Sequence, residues 1–391
     1  MSEKNYRIPL FGVVTGLYWF SLYTYIPTFS PYLESLGISY KMIGIILGSY
    51  GFTQMLLRIP LGVFSDRINK RKVFVILGVL LGSLSSLGLW AFSNPYVILL
   101  FRSLAGAAAA CWVSYTVLFS SYFKREETAK SIGIINSLNK TGQVAAMLLG
   151  GLVAQYISQE APFLLGVIGG LIGLVLSYGI IEKKNVNRDE IKIKELFSVA
   201  KDPNLLSVSF LAIVIMLITF ATIFGFVPVA AKNIGASEFQ LSMLVTLANV
   251  LTILASASSG AFFGKRFGEK NSIIGGFILI ALSTIVVPYI SSVNILILSQ
   301  LLGGFGRGLV LSLLMGLSIK NIEENKRATA MGFFQAIYGI GMFLGPVIVG
   351  AISDWAGLDF GFWFTGIIGF LGAFLTHLLL KGNFVERLLN K

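Results

Sequence analysis

The sequence predicts an all-α polytopic membrane protein built from two pseudo-symmetric six-helix bundles, with both termini in the cytoplasm. Three observations lead to this fold class. Only 12% of the 391 residues are charged and 55% are hydrophobic, whereas about 25% of residues are charged in a typical soluble domain. Apolar stretches of about 20 residues, each long enough to cross ~30 Å of hydrocarbon as a helix, recur along the whole chain. Several short motifs also return at an offset of about half the chain length.

Twelve spans are predicted, six in each half of the chain. The first has no charged residue between Arg7 and Glu34; it is too long for a signal peptide, so we expect it to remain as the first helix. The 43 glycines are compatible with these spans because membrane helices use glycine for close packing. The predicted spans are 8–33, 42–65, 73–92, 96–122, 129–157, 162–181, 205–231, 239–263, 272–290, 294–319, 328–353 and 360–380.

The distribution of Lys and Arg predicts the orientation in the membrane. Of 30 such residues, 24 fall on the side of the termini, four fall within spans, and Lys41 and Lys232 fall on the opposite side. The positive-inside rule therefore places both termini in the cytoplasm of a multi-pass cell-membrane protein. It also accounts for the net charge of +12 without a nucleic-acid partner. The polar segment 182–204 is the predicted cytoplasmic linker between the bundles 1–181 and 205–391.

An internal duplication relates the two halves. Gly62–Lys72, with the sequence GVFSDRINKRK, returns 198 residues later as Gly260–Lys270, GAFFGKRFGEK. The turn SLGIS at Ser35–Ser39 returns at the same offset as NIGAS at Asn233–Ser237. Landmarks in register at one offset indicate a membrane module present in two copies.

The segment Gly62–Lys72 resembles the loop 2–3 motif of the major facilitator superfamily, and the resemblance extends over essentially the whole chain. The matching residues are Gly62, Asp66, Arg67, Lys70 and Arg71. Asn69 stands where the family has glycine, and Asn is the next best residue for a left-handed turn. The resemblance implies that these residues close the cytoplasmic side when the carrier faces outward, with Asp66 near the start of span 11 and Arg67 and Arg71 near Glu126 and Glu127. Gly264 replaces the Asp in the second copy, so we expect an asymmetric gate.

Two further motifs resemble those of the same family. Arg102 and Gly106 in span 4 resemble its helix-4 motif, for which a role in proton handling and a role in fold stability both stay open. Gly341, Gly345 and Pro346 in span 11 resemble the Gly-Pro motif that antiporters of the family carry in helix 5. Span 5 of this chain lacks the proline, which weakens the antiporter assignment. In span 11 the motif is expected to permit bending or close packing.

Basic residues inside the predicted spans are the main candidates for a binding site. They are Arg58, Arg102, Lys140 and Arg307. A charge at a helix centre costs about 3 kcal/mol, so each needs a reason, and Arg58 lies close enough to the inner end of span 2 to snorkel. Lys140 lies mid-span near Asn136 and Gln143, and Arg307 lies at the centre of span 10 among glycines. No Asp or Glu occupies the middle third of any predicted span, so we expect an anionic ligand to balance these two cations.

Span 1 supplies a second set of candidate binding residues. Tyr18, Ser21 and Tyr25 recur at helical spacing and can line one cavity. Aromatic residues in membrane spans are nevertheless more often packing or interface residues. His377, near the inner end of span 12, is a weaker candidate for proton coupling.

These residues, with the resemblance, imply a secondary transporter that moves a small organic solute, anionic or acidic and amphipathic, by alternating access. It would be driven by a gradient, with protons as the candidate coupling ion. A broad-specificity drug–proton antiporter and a non-transporting sensor on the carrier fold are the alternatives. One His, one Cys and the lack of a predicted buried carboxylate pair argue against an enzyme. We expect a monomer in the lipid bilayer, with no cofactor, no metal and no nucleic-acid partner.

Overall fold

A computed structural model describes residues 4–68, 70–124, 127–182, 201–323 and 326–380. Twelve helices in these ranges match the twelve predicted spans within a few residues. In the first half they are α1 (Lys4–Tyr23 and Ile26–Ser35), α2 (Tyr40–Arg67), α3 (Arg71–Ala91), α4 (Pro95–Ala110 and Trp112–Ser120), α5 (Thr128–Tyr156) and α6 (Ala161–Ser177). In the second half they are α7 (Pro203–Asn233), α8 (Glu238–Phe267), α9 (Glu269–Tyr289), α10 (Val293–Lys320), α11 (Arg327–Ala356) and α12 (Leu358–Leu379).

Nine of the described helices, α2 to α4 and α7 to α12, are long and apolar enough to cross a membrane. The helix α6 is apolar but shorter. The helix α1 is interrupted after Tyr23, and α5 carries a polar stretch, 136–143, in its middle. The predicted all-α, multi-pass membrane fold is therefore confirmed.

Local sequence explains where several helices begin. Asn94 caps α4, because its side chain accepts hydrogen bonds from the backbone N–H groups of Tyr96 and Val97. Asp202 caps α7 in the same way through the N–H of Leu205, at 2.7 Å. Both caps are followed by a proline at the first helical position, where the missing N–H costs nothing.

The turns that precede α2 and α8 are copies of one another. The angle φ is 74° at Gly37 and 92° at Gly235. Residues that carry a Cβ rarely adopt this left-handed backbone conformation. The two glycines lie 198 residues apart, at the offset of the duplicated motifs. The repeat seen in the sequence thus reflects a repeated backbone geometry.

The chain folds into two compact units. The first comprises Met1–Tyr32, Phe52–Glu190 and Ser237–Ser242, so far as these are described. The second comprises Leu33–Gly51, Ile191–Ala236 and Met243–Lys391, with the same restriction. The units differ from the predicted bundles at two segments: 33–51 joins the second unit and 237–242 joins the first. Most of the predicted linker, 183–200, lies outside the described residues.

Each unit uses the same helix pairs. In the first unit, α1 packs on α5 and α6, and α3 packs on α4 and α6. In the second unit, α7 packs on α11 and α12, and α9 packs on α10 and α12. The pairs correspond when α1 to α6 are matched with α7 to α12, as expected for a duplicated module.

Equivalent helices are also distorted at equivalent places. The α-helical geometry of α1 stops at Thr24 and Tyr25 and resumes at Ile26. In α7 a π-helical turn covers Thr222–Phe226, 198 residues after Thr24. A second π-turn, Ser259–Gly264, lies in the second copy of the duplicated motif, whereas the first copy is regular α-helix as far as Arg67. Single π-helical turns inside α-helices are rare, and they often occur at functional sites.

Candidate functional site

Lys140 lies in the middle of α5, in a chain of polar side chains. Its Nζ donates to Oε1 of Gln143 at 3.1 Å, and Nε2 of Gln143 donates to Oδ1 of Asn139 at 2.7 Å. Asn139 and Gln143 are buried, whereas Lys140 and Asn136 are exposed. Because an ammonium group has three N–H donors and Gln143 takes one, Lys140 retains donors for a ligand.

The exposed position of Lys140 follows from how α5 packs. On the far side of the helix, Gly142 packs on α1 so closely that a Cβ there would lie 2.5 Å from the carbonyl oxygen of Gly16. Met147, two turns after Lys140 and on the same face, accepts a hydrogen bond from the Ser242 hydroxyl in the first turn of α8. The face that carries Lys140 therefore continues into the face that packs on the start of α8.

Arg307 lies at the centre of α10 and inside the second unit. Its side chain is 5% exposed, and Nη2 has no hydrogen-bond partner among the described residues. Gly303, one turn earlier, leaves the space that the guanidinium occupies, because a Cβ there would lie 3.2 Å from Nη1 and 2.5 Å from the Ser283 hydroxyl. Gln300, on the same face, donates to the carbonyl oxygen of Ser283 at 3.0 Å.

Neither cation has a carboxylate partner within the described part of the chain. Ion pairs in the described residues join Lys130 to Glu127, Lys320 to Glu269 and Lys326 to Glu323, each at a helix end. Nor do the described residues contain a cluster of three or more His, Cys, Asp or Glu able to hold a metal ion. Lys140 and Arg307 thus offer hydrogen-bond donors and positive charge without a built-in counter-ion.

The candidate binding residues of span 1 pack inside the first unit. Tyr18, Ser21 and Tyr25 are each fully buried, and their place in a binding cavity stays a prediction. The Tyr18 hydroxyl donates to the carbonyl oxygen of Ala108 at 2.6 Å, and its ring stacks on Tyr115 with 4.5 Å between centroids. The Ser21 hydroxyl donates to the carbonyl oxygen of Tyr18 at 2.8 Å. These contacts are those of packing residues.

Arg102 is bound to the interruption of α1. Its Nη1 donates to the Tyr25 hydroxyl at 2.9 Å, and its guanidinium lies 5.6 Å from the centroid of the Tyr25 ring and 5.5 Å from that of Phe29. Gly106, one turn further along α4, is also buried. This geometry favours a role in fold stability for the helix-4 motif, and a role in proton handling stays a prediction.

The glycines of α11 serve close packing. A Cβ on Gly341 or on Gly345 would collide with the backbone of α7, at the carbonyl oxygens of Ile213 and Leu217 respectively. Pro346, the next residue, is accommodated inside α11 without ending the helix. The motif therefore occupies the tight α7–α11 contact of the second unit.

Comparison with known proteins assigns the family. The profile of the Major Facilitator Superfamily matches residues 11–231 and again residues 208–388. The chain belongs to the major facilitator superfamily. An uncharacterised MFS-type transporter of Methanocaldococcus jannaschii is 26% identical over 91% of this chain and 93% of its own length. The tetracycline resistance protein, class C, of Escherichia coli is also 26% identical, over 81% and 82% of the two chains.

Further relatives and solved structures agree with this assignment. The quinolone resistance protein NorA of Staphylococcus aureus is 22% identical over 84% of this chain and 85% of its own. The crystal structure of a mutant of the nucleoside transporter NupG superposes with a TM-score of 0.81 at 14% identity, over 97% of this chain and 100% of the other. The crystal structure of a bacterial homologue of the human lysosomal transporter Spinster, in an inward-facing and occupied conformation, superposes with a TM-score of 0.80. The sequence identity is 16%, over 97% of both chains. At this identity the two structures show a shared fold.

The loop 2–3 motif, Gly62–Lys72, spans the end of α2 and the start of α3. The predicted residues are Gly62, Asp66, Arg67, Lys70 and Arg71. Gly62 lies within α2, where its carbonyl accepts from the Ser65 hydroxyl, and Arg67 and Lys70 are exposed. The side chain of Asp66, together with Asn69 and Glu126, lies outside the described residues. The contacts predicted for the Asp and its basic neighbours therefore stay a prediction.

One contact of this motif was not predicted from the sequence. The carboxylate of Glu182 accepts the backbone N–H groups of Arg71 at 2.6 Å and Lys72 at 3.1 Å, so it caps the N-terminus of α3. Lys72 also donates from Nζ to the carbonyl oxygen of Tyr178, at the end of α6. Its repeat partner Lys270 donates to the carbonyl oxygen of His377, at the end of α12. The 198-residue spacing of the two lysines was a visible clue, whereas Glu182 lies 111 residues from its partner.

Proposed function

We propose that this major facilitator protein moves a small organic anion, or an acidic amphipathic solute, across the cell membrane by gradient-driven alternating access. The observation that carries the proposal is the buried guanidinium of Arg307, whose Nη2 has no partner among the described residues. Lys140 supplies a second cation without a carboxylate partner, on an exposed face of α5.

Electrostatics favours a negatively charged substrate at these residues. A buried cation without a counter-ion costs several kcal/mol, and an anionic group that binds it recovers much of this cost. The planar guanidinium of Arg307 suits a carboxylate, sulfonate or phosphate in bidentate geometry, whereas Lys140 acts as a point charge. Asn136 and Gln143, beside Lys140, can donate further hydrogen bonds to such a ligand.

A broad-specificity drug–proton antiporter is the second candidate. It is favoured by the names of two relatives, a tetracycline resistance protein and a quinolone resistance protein. An acidic group at the binding site would balance the charge of a lipophilic cation taken out of water. None of the described acidic side chains lies in the middle of a helix, which favours the anion proposal.

Ligand-induced stabilisation of the purified protein tests the charge of the substrate. We expect aromatic carboxylates and sulfonates to raise the unfolding temperature, by the equivalent of about 2.7 kcal/mol at a ligand concentration of 100 Kd. Tetraphenylphosphonium, as a lipophilic cation, should have no such effect. Arg307→Met and Lys140→Met should abolish the response, and Arg307→Lys should retain part of it.

The unliganded stability of Arg307→Met is the internal control for folding. Replacing an unpartnered buried cation by an apolar side chain of similar length should leave stability unchanged or raise it. Loss of the anion response in a protein that is at least as stable then reports on binding. The proposal fails if both Met variants respond to anions like the parent protein, or if tetraphenylphosphonium alone stabilises it. Counterflow of a bound anion in proteoliposomes then separates a transporter from a sensor.

A further inference from the structure

An arginine between two exposed phenylalanines lies at the end of α8, in the second unit. Phe262 is 49% exposed and Phe267 is 51% exposed. The guanidinium of Arg266 lies 5.7 Å from the centroid of the Phe262 ring and 5.8 Å from that of Phe267. Both distances are within the range of a cation–π contact, so the two rings restrict the position of the guanidinium. These three residues and Lys265 are called here the α8 cationic patch.

The backbone that carries this patch is held by the rest of the second unit. Phe263, whose ring stacks on that of Phe267 with 6.1 Å between centroids, also packs edge-on against Phe305 of α10, at 5.5 Å. The Ser272 hydroxyl, in α9, donates to the carbonyl oxygen of Phe263 at 3.0 Å. The exposed side chains of the patch therefore project from a packed base.

The two basic side chains of the patch have no acidic partner within the described part of the chain. Lys265 and Arg266 are exposed, and neither side chain takes part in the ion pairs or hydrogen bonds of the described residues. Glu269, the nearest acidic residue along the chain, is bound by Lys320 at 2.8 Å. A planar guanidinium and an ammonium group therefore present their N–H donors and positive charge outward.

A strip of exposed apolar residues leads along α8 towards the patch. Leu254, Ala257 and Ala261 recur at helical spacing and are all exposed, Leu254 to 58%. Phe262 follows directly after this strip. The positive charges lie beyond it, at the helix end that the positive-inside rule predicts to be cytoplasmic. An apolar strip that ends in unpaired positive charge is complementary to an anionic phospholipid, with its acyl chains and its phosphate.

The first copy of the duplicated motif lacks this combination. At the offset of 198 residues, Ile68 stands where the second copy has Arg266, and Asn69 stands where it has Phe267. The first copy is also regular α-helix as far as Arg67, whereas the second contains a π-helical turn. The patch is therefore a feature of the second copy alone, and the loop 2–3 motif does not account for it.

We propose that the α8 cationic patch binds an anionic phospholipid, whose phosphate contacts Arg266 and Lys265 while an acyl chain lies along Phe262 and the apolar strip. A guanidinium suits a phosphate because its planar donors can bind two oxygens at once. The flanking rings lower the entropy that the side chain loses on binding. A zwitterionic headgroup carries its own cation beside the phosphate, so it gains less from the patch. The site requires the membrane location alone, and it is independent of the charge of the substrate.

Native mass spectrometry of the purified full-length protein with added lipid tests the proposal. We expect the parent protein to bind its first dioleoyl-phosphatidylglycerol more tightly than its first dioleoyl-phosphatidylcholine. Arg266→Gln should weaken binding of phosphatidylglycerol on the order of tenfold, the effect of losing one hydrogen bond to a charged group, and leave that of phosphatidylcholine unchanged. Arg266→Lys keeps the charge without the bidentate geometry and should weaken it less. Neither variant should change the unfolding temperature in lipid-free detergent, because Arg266 is exposed.

Arg327→Gln is the matched control, because it removes the same charge from another exposed arginine of the second unit. Arg327 begins α11, on the predicted cytoplasmic side, and its Nε donates to the carbonyl oxygen of Ile322 at 3.2 Å. An unchanged affinity for phosphatidylglycerol in this variant, with a weaker one in Arg266→Gln, supports the lipid site. The proposal is overturned if the two variants bind phosphatidylglycerol equally, or if the parent protein binds phosphatidylcholine as tightly.

A soluble phosphate separates a lipid from a water-soluble ligand of the same chemistry. Glycerol 3-phosphate carries the phosphate without acyl chains, so it lacks the contact with the apolar strip. We expect it to leave bound phosphatidylglycerol in place at equal concentration. Displacement of the lipid would assign the patch to a soluble phosphate and overturn the proposal.

The lipid site and the proposed substrate class fail in different variants. Arg307→Met and Lys140→Met should lose the response to aromatic anions and keep the bound phosphatidylglycerol. Arg266→Gln should lose the lipid and keep the response to aromatic anions. Loss of the lipid in Arg307→Met, with its retention in Arg266→Gln, would place the lipid at the substrate residues and overturn the patch.

Discussion

Single side chains in this protein show how a membrane helix bundle satisfies buried polar groups. Tyr18 and Tyr25 lie two turns apart on α1, and both hydroxyls are buried. Tyr18 donates to a neutral carbonyl oxygen, that of Ala108, whereas Tyr25 accepts from the guanidinium of Arg102. One helix thus contains a tyrosine in a neutral hydrogen bond and a tyrosine in a charged one. Removal of the two hydroxyls should therefore lower the free energy of unfolding by different amounts.

We predict that Tyr25→Phe destabilises the protein more than Tyr18→Phe. A hydrogen bond to a charged group contributes about 1.5–3 kcal/mol and a neutral one about 0.5–1.5 kcal/mol. Phenylalanine keeps the ring that lies against Arg102, so the variant removes the hydroxyl alone. Chemical unfolding of the two variants in one detergent measures the difference. An equal or larger loss for Tyr18→Phe would contradict the assignment of Tyr25 as the partner of Arg102.

At the scale of helices, glycine decides which pairs approach most closely. In α11, Gly345 faces the backbone of α7, whereas Gly332 has no atom within 4 Å of a Cβ built on it. The carbonyl oxygen of Leu217 cannot move away from a methyl group at 345 without a shift of the whole helix. One helix thus offers a tightly packed glycine and a free one.

Gly345→Ala should therefore destabilise the protein by about 1–3 kcal/mol, the usual cost of overpacking. Gly332→Ala should be neutral, or stabilising by up to about 1 kcal/mol, since alanine is the better helix former. Thermal unfolding of both variants provides the comparison. If Gly345→Ala unfolds at the same temperature as Gly332→Ala, the close packing of Gly345 on the backbone of α7 is contradicted.

Helix ends are stabilised over long sequence distances as well. Glu182 caps α3 from the segment after α6, and Lys72 and Lys270 bind the last carbonyls of α6 and α12 in equivalent ways. These contacts fix the relative position of α3 and α6, and of α9 and α12, within their own units. The duplication is therefore preserved in side-chain contacts as well as in helix order.

For the whole molecule, the orientation in the membrane follows from charge and can be measured. In the cysteine-free Cys111→Ala background, a membrane-impermeant maleimide applied to intact cells should label Ser93→Cys, in the loop before α4. It should label Lys124→Cys, in the loop after α4, only after the cells are permeabilised. The positive-inside rule predicts this result, because the basic residues collect on the side of Lys124. The reverse pattern would place the termini outside.

The success of prediction differed between kinds of residue. Helix positions could be predicted from the lengths of apolar runs, and the break between α1 and α2 from the turn that contains Gly37. Both are local properties of the sequence. The polar stretch around Lys140 was visible because it interrupts an apolar pattern. The orientation of Tyr18, Ser21 and Tyr25 was not predictable, because a helix that is apolar on all sides gives no periodic signal to separate its buried face from its exposed one.

The sequence by itself determined the membrane location and the number and order of the helices, through hydropathy and glycine turns. It also showed the duplication, as a constant offset, and the excess of basic residues on the predicted cytoplasmic side. Folding in three dimensions decided which side chains meet: Tyr25 with Arg102, Glu182 with α3, and Gln159 with Glu238. These partners lie between 77 and 111 residues apart in the chain. Their pairing depends on the rotation and depth of each helix in its unit, which arise from packing and leave no trace in local composition.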